Sequence, residues 1–125
     1  MKTIVATAAA PAAIGPYAQA VRHGDLLFVS GTLGMDPKTG EFAGPGIEAQ
    51  ASRALENLKA IVEAAGLSLG NVLKSTVFLR DMNDFAKFNE IYARYFPANP
   101  PARETVQVAR LPRDAAIEIS VICGA

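Results

Sequence analysis

The chain has 125 residues, half of them hydrophobic, with 12 basic and 12 acidic side chains and a formal net charge of zero. That is most simply one domain over residues 1–125, long enough to bury roughly two-thirds of its unfolded surface. The even charge, with no Lys/Arg run, argues against a duplex nucleic-acid binder, and no stretch approaches the ~20 apolar residues of a membrane span.

In chain order, the apolar stretch Ile4 to Ile14 is short, broken by Thr7 and Pro11, and follows a single Lys2. It reads as a strand and a loop rather than a signal segment. Gly15-Pro16 fixes a turn and delivers Tyr17 to the start of a strand that runs to Arg22. The turn His23-Gly24-Asp25 leads into Leu26-Leu27-Phe28-Val29, a buried strand and the other half of a hairpin. Ser30-Gly31-Thr32 closes that strand with hydroxyls, and Asp36-Pro37-Lys38-Thr39-Gly40 carries the turn chemistry of a second hairpin tip.

From Ile47 to Ala65 the apolar positions Ile47, Ala51, Ala54, Leu55, Leu58, Ile61, Val62 and Ala65 keep the three-four spacing of an amphipathic helix. Gly66 follows where a left-handed cap is wanted. Val72 to Leu79 alternates as a strand, with Leu73, Ser75, Val77 and Leu79 on one face. A second helix is expected from about Asp84, in a capping-type position, to Phe96, its inner stripe formed by Phe85, Phe88, Ile91, Tyr92 and Tyr95. Pro97, Pro100 and Pro101 stop it. Two strands, about Arg103–Ala109 and Ala115–Ile122, end the order.

One sheet with two helices on a single face is the economical architecture. Phe28, Phe78, Val106, Val108, Ile117, Ile119 and Val121 cannot all point toward those helices. Some must emerge on the other face, and a large exposed apolar patch marks an interface, so a homo-oligomer is expected.

Among candidate chemical groups, one His and one Cys cannot assemble a closed zinc site. His23 reads as a solvated turn residue, and no nucleophile motif accompanies it. Cys123 is the only cysteine, which excludes an intrachain disulfide and suits a reducing cytoplasm. Tyr17 has two readings, a group delivered to a site by a rigid turn or a ring packed in the core. Arg103 and Glu118 stand out because each is a charge in strand-like, apolar surroundings, where a partner or a small anionic ligand is needed.

The stretches Gly15-Pro16-Tyr17-Ala18-Gln19-Ala20-Val21, Phe28-Val29-Ser30-Gly31, Asp36 to Glu41, Ala54 to Ile61, Thr76-Val77-Phe78-Leu79, Asn83-Asp84-Phe85 and Pro101-Ala102-Arg103 occur in order along nearly the whole chain. With the closing pattern Arg103…Leu111-Pro112…Ile117-Glu118-Ile119, they resemble the Rid/YjgF family of reactive-intermediate deaminases. The resemblance implies a chorismate-mutase-like α+β fold, assembled as a homotrimer with its sheets facing inward and clefts between subunits. It also implies cofactor-free hydrolysis of 2-aminoacrylate and 2-aminocrotonate to 2-oxo acids and ammonia. By position, Arg103 would grip the substrate carboxylate, Glu118 would take the water proton and Tyr17 would help to hold the water. Ser30, Gly31 and Asn89 would line the pocket, and the backbone around Thr105 would meet the substrate nitrogen. Glu104 follows the arginine where many members have a small residue; strand alternation should turn it away from Arg103.

Overall fold

Alternation in the strands and three-four spacing in the helices both find their partners in the structure, a computed structural model that describes residues 1–125. The elements run β1 (Thr3–Val5), β2 (Ala20–His23), β3 (Leu26–Thr32), α1 (Ile47–Ala64), β4 (Val72–Leu79), α2 (Phe85–Tyr95), β5 (Ala102–Gln107) and β6 (Ile117–Gly124). All strands join one six-stranded sheet in the order β1-β2-β3-β6-β4-β5. Only β4 and β5 are parallel, and α2 is the crossover that such a pair requires. The fold is thus α+β, a single mixed sheet with both helices on one face.

The core lies between that face and the helices. Ala51, Ala54, Leu55, Leu58 and Val62 of α1 are fully buried against Ile117, Ile119 and Cys123 of β6 and Leu27 of β3. Burying each of these larger side chains stabilises the fold by about 1.5–3 kcal/mol. Gly66 takes the left-handed conformation at the end of α1, with φ +81°, where a residue with a Cβ is strained. The Asp36–Gly40 turn closes on itself through Gly40 N–H to the Asp36 carbonyl, and Met35 bridges Phe42 across it.

The opposite sheet face is open. Ile117, Ile119 and Val121 turn inward, while Phe28 and Val106 turn outward and remain 43% and 46% exposed. Ile4 and Leu26 join them on that side, 63% and 40% exposed. The expected apolar patch is therefore present.

Three local expectations are corrected. Leu73 points outward, not inward, because a register shift between Val72 and Lys74 lets Val72 take the buried place. Tyr17 lies in the loop before β2 rather than in a strand, since the pairing with β3 begins only at Ala20. Asp84 makes no capping hydrogen bond; a 3-10 turn runs directly into α2, and Asp81 accepts from the Asn83 N–H instead.

Candidate functional site

Glu118 lies on the open face of β6 and looks into a cleft of about 640 Å³. Tyr17, Ser30, Gly31 and Arg113 line the same cleft. Two features of β3 make room for the carboxylate. The strand pairing with β6 is irregular between Val29 and Thr32. In addition, a Cβ on Gly31 would come within 2.6 Å of Glu118 Cδ. Gly31 is therefore in the cleft chiefly as the space that Glu118 fills. Burial raises the Glu118 pKa above its ordinary value, because a carboxylate loses hydration there.

The loop that presents Tyr17 is pinned by its neighbours. The Gln19 side chain accepts from the Thr7 N–H at 2.7 Å and donates to the Pro11 carbonyl at 2.7 Å. The Ser30 hydroxyl donates to the Ala18 carbonyl at 2.6 Å, which leaves its lone pairs as acceptors on the cleft side. Tyr17 itself is 54% exposed, with its ring over the cleft rather than in the core. The ring is therefore not packed in the core. A more open hollow of about 780 Å³ lies over the N-terminal segment and shares Tyr17. Lys2 is its only charged group, so it offers less chemistry.

Arg103 is placed differently. On β5 it stands beside Ser75 of β4, and the sheet alternation turns both toward the helices. Its guanidinium lies over the rings of Tyr92, Phe88 and Phe85, at 4.7, 5.3 and 5.7 Å from their centroids. It enters none of the chain's ion pairs. Glu104 faces the other way, as alternation requires, and pairs with Lys74 at 3.0 Å. Asn89 is carried by α2, one turn after Phe85. Thr105 follows Arg103 on the same strand face, and its buried hydroxyl has no hydrogen-bond partner.

The predicted residues therefore form two groups. Tyr17, Ser30, Gly31 and Glu118 come together in one cleft. Arg103, Thr105 and Asn89 belong to the β5–α2 edge. Glu118 aligns with Phe78 and so with Val106, on the face opposite Arg103, and β4 separates their strands. No single chain brings the guanidinium to the carboxylate.

Arg113 is the cleft residue that sequence reasoning passed over. It adopts φ +55° in the turn before β6, a costly conformation for a residue with a side chain. Its guanidinium donates to the Gly40 carbonyl at 2.9 Å and packs over Phe42 at 5.5 Å, latching the Met35–Phe42 hairpin to the cleft wall. The Leu-Pro dipeptide before it signalled the turn but not the long-range contact.

The profile of the family described as endoribonuclease L-PSP matches residues 7–124. A RutC family protein of Saccharolobus solfataricus is 55% identical over 98% of this chain and 97% of its own. The 2-iminobutanoate/2-iminopropanoate deaminase of Salmonella typhimurium is 52% identical over 98% of this chain and 97% of its own. The crystal structure of Escherichia coli TdcF with bound serine superposes with a TM-score of 0.95 at 48% identity, covering 98% of both chains.

Proposed function

This chain belongs to the endoribonuclease L-PSP family and is similar to the 2-iminobutanoate/2-iminopropanoate deaminase of Salmonella typhimurium, and we propose that it hydrolyses reactive enamines and imines of small 2-amino acids. Glu118 carries the proposal: a half-buried carboxyl of raised pKa in a cleft with a tyrosine and a serine beside it.

The substrate is an imino acid such as 2-iminobutanoate, reached from 2-aminocrotonate by protonation at carbon. Water adds to the imine carbon, its proton passing to the Glu118 carboxylate. Glu118 returns the proton to nitrogen, and the carbinolamine then collapses: the hydroxyl proton passes to the departing nitrogen as the C=O forms, the C–N bond breaks, and 2-oxobutanoate and ammonia leave. Tyr17 and Ser30 orient the water, and Arg103 grips the substrate carboxylate by two parallel hydrogen bonds. The thermal reactivity of imines means that orientation supplies most of what is needed. No group of three or more His, Cys, Asp or Glu side chains is placed to hold a metal; the residues named suffice for the steps.

Because Arg103 and Glu118 occupy opposite sheet faces, the reading requires a second copy of the chain to bring its β5–α2 edge to the cleft. The outward Phe28, Val106 and Ile4 support such self-association, and a homotrimer with inward-facing sheets is the assembly we propose. The single buried Cys123 supports a reducing, cytoplasmic setting.

A dehydratase that releases 2-aminocrotonate, coupled to this protein, tests the function. Imine decay should accelerate over buffer; Arg103→Ala should lose substrate affinity, and Glu118→Gln should lose about 10²-fold in rate. The activity should rise with pH along a limb set above the ordinary carboxylate range, because the base must be ionised. Decay equal to buffer, or full activity in Arg103→Ala, would sink the proposal.

The serine bound to TdcF favours a second reading, a binding protein for amino or 2-oxo acids in the same cleft. Retained 2-oxobutanoate binding with unchanged imine decay would select it. The ribonuclease reading suggested by the family's description is not supported by charge, since the 12 basic side chains are balanced by 12 acidic ones and no Lys/Arg run is present.

A further inference from the structure

Arg103 has a long, flexible side chain, yet its guanidinium meets no carboxylate within the chain. What fixes it is α2. Phe85, Phe88 and Tyr92 recur on one face of that helix, and all three rings face the guanidinium. Tyr92 is nearest, at 4.7 Å. Phe88 and Tyr92 also pack on one another, their centroids 5.3 Å apart.

The nearest ring is itself held. The Tyr92 hydroxyl is 2.8 Å from the Ser75 hydroxyl, in a fully buried contact. Ser75 is the residue paired with Arg103 in the β4–β5 ladder. Three links thus close on each other: Arg103 is beside Ser75 in the sheet, Ser75 holds Tyr92, and the Tyr92 ring carries the guanidinium. An arginine otherwise loses rotamer entropy on gripping a ligand. Contact with the rings restricts that freedom in advance, and the guanidinium enters no ion pair within the chain that would occupy its N–H groups.

We propose that Tyr92 is a positioning residue for the substrate carboxylate, acting through Arg103 and fixed by its hydrogen bond to Ser75. The proposal rests on the deaminase reading in one respect only, that Arg103 is the carboxylate clamp. Tyr92 touches no substrate. Its effect should therefore appear only for ligands that present a carboxylate.

The test measures binding of 2-oxobutanoate and of its neutral analogue 2-oxobutanamide, with KM and kcat for the imine. Tyr92→Leu should weaken 2-oxobutanoate about tenfold and raise KM to match, while kcat and amide binding stay within about threefold. Tyr92→Phe keeps the ring but loses the hydrogen bond to Ser75, so it should recover only part of that loss, and full recovery would overturn the role of the Ser75 bond. In an Arg103→Gln background, Tyr92→Leu should cost nothing further. Phe85→Leu, at a half-buried position on the cage edge, should give a smaller loss of the same kind if Tyr92→Leu does not fold. Equal weakening of acid and amide, or an additive loss in the Arg103→Gln background, would overturn the role of Tyr92 alone. Binding of 2-oxobutanoate that survives Arg103→Gln overturns the clamp itself, and the cage's function with it.

Discussion

A carboxyl that is half-buried and free of ion pairs is a cost to the fold as well as a tool. Glu118 has its pKa raised from 4.5 by desolvation. The folded chain therefore holds that proton more tightly than the unfolded chain does. Its contribution is favourable at low pH and is lost as pH rises from the ordinary carboxylate range through the raised value. Glu118→Gln removes this dependence. Denaturant titrations across pH should find the variant at least as stable as the parent at pH 7, with the difference gone below about pH 4. A variant less stable at pH 7 would mean that the ionised carboxylate has a stabilising partner.

Among the elements, the join between the end of β3 and α1 is the tightest. A Cβ on Gly34 would collide with the backbone of Gln50 in α1. Gln50 in turn donates to the Gly44 carbonyl and accepts from the Ala116 N–H at 2.8 Å, tying helix, loop and β6 together. Gly34→Ala must push the helix away and should cost about 3 kcal/mol, read as a lowered midpoint in thermal or chemical unfolding. Loss of under about 0.5 kcal/mol would show that the helix docks less closely. How much of this was legible in the sequence follows from where each signal resides. The periodicity of α1 reports directly on one wet and one dry face, so its span and buried set could be read. The outward turn of Leu73 depends on a register shift against β6, a property of the partner strand. The sequence alternation within β5 and within β6 was likewise readable, but whether Arg103 and Glu118 share a face depends on their common register through β4. The Arg113 latch joins segments 73 residues apart, and the Tyr92–Ser75 bond links a helix to a strand. Neither leaves a local pattern.

For the molecule as a whole, one sheet face is covered by helices and the other by nothing in the chain. Phe28 and Val106 lie there beside the partly exposed Phe78 and Ile122. Burying the part of the Phe28 ring that remains exposed is worth about 1 kcal/mol in each subunit, and the neighbouring apolar side chains add to it. Phe28→Asp should therefore lower the mass measured by sedimentation or light scattering toward that of a single chain, and deaminase activity should fall with it. A wild-type protein that sediments as a single chain at micromolar concentration would remove the basis for a shared cleft.

The division of Arg103 and Glu118 between opposite faces also has a genetic consequence. A copy damaged at Arg103 still offers a sound Glu118, and a copy damaged at Glu118 still offers a sound Arg103. Two such alleles, each silent alone, should complement one another in the same cell. With random assortment in the proposed ring of subunits, about a quarter of the clefts would receive both intact groups.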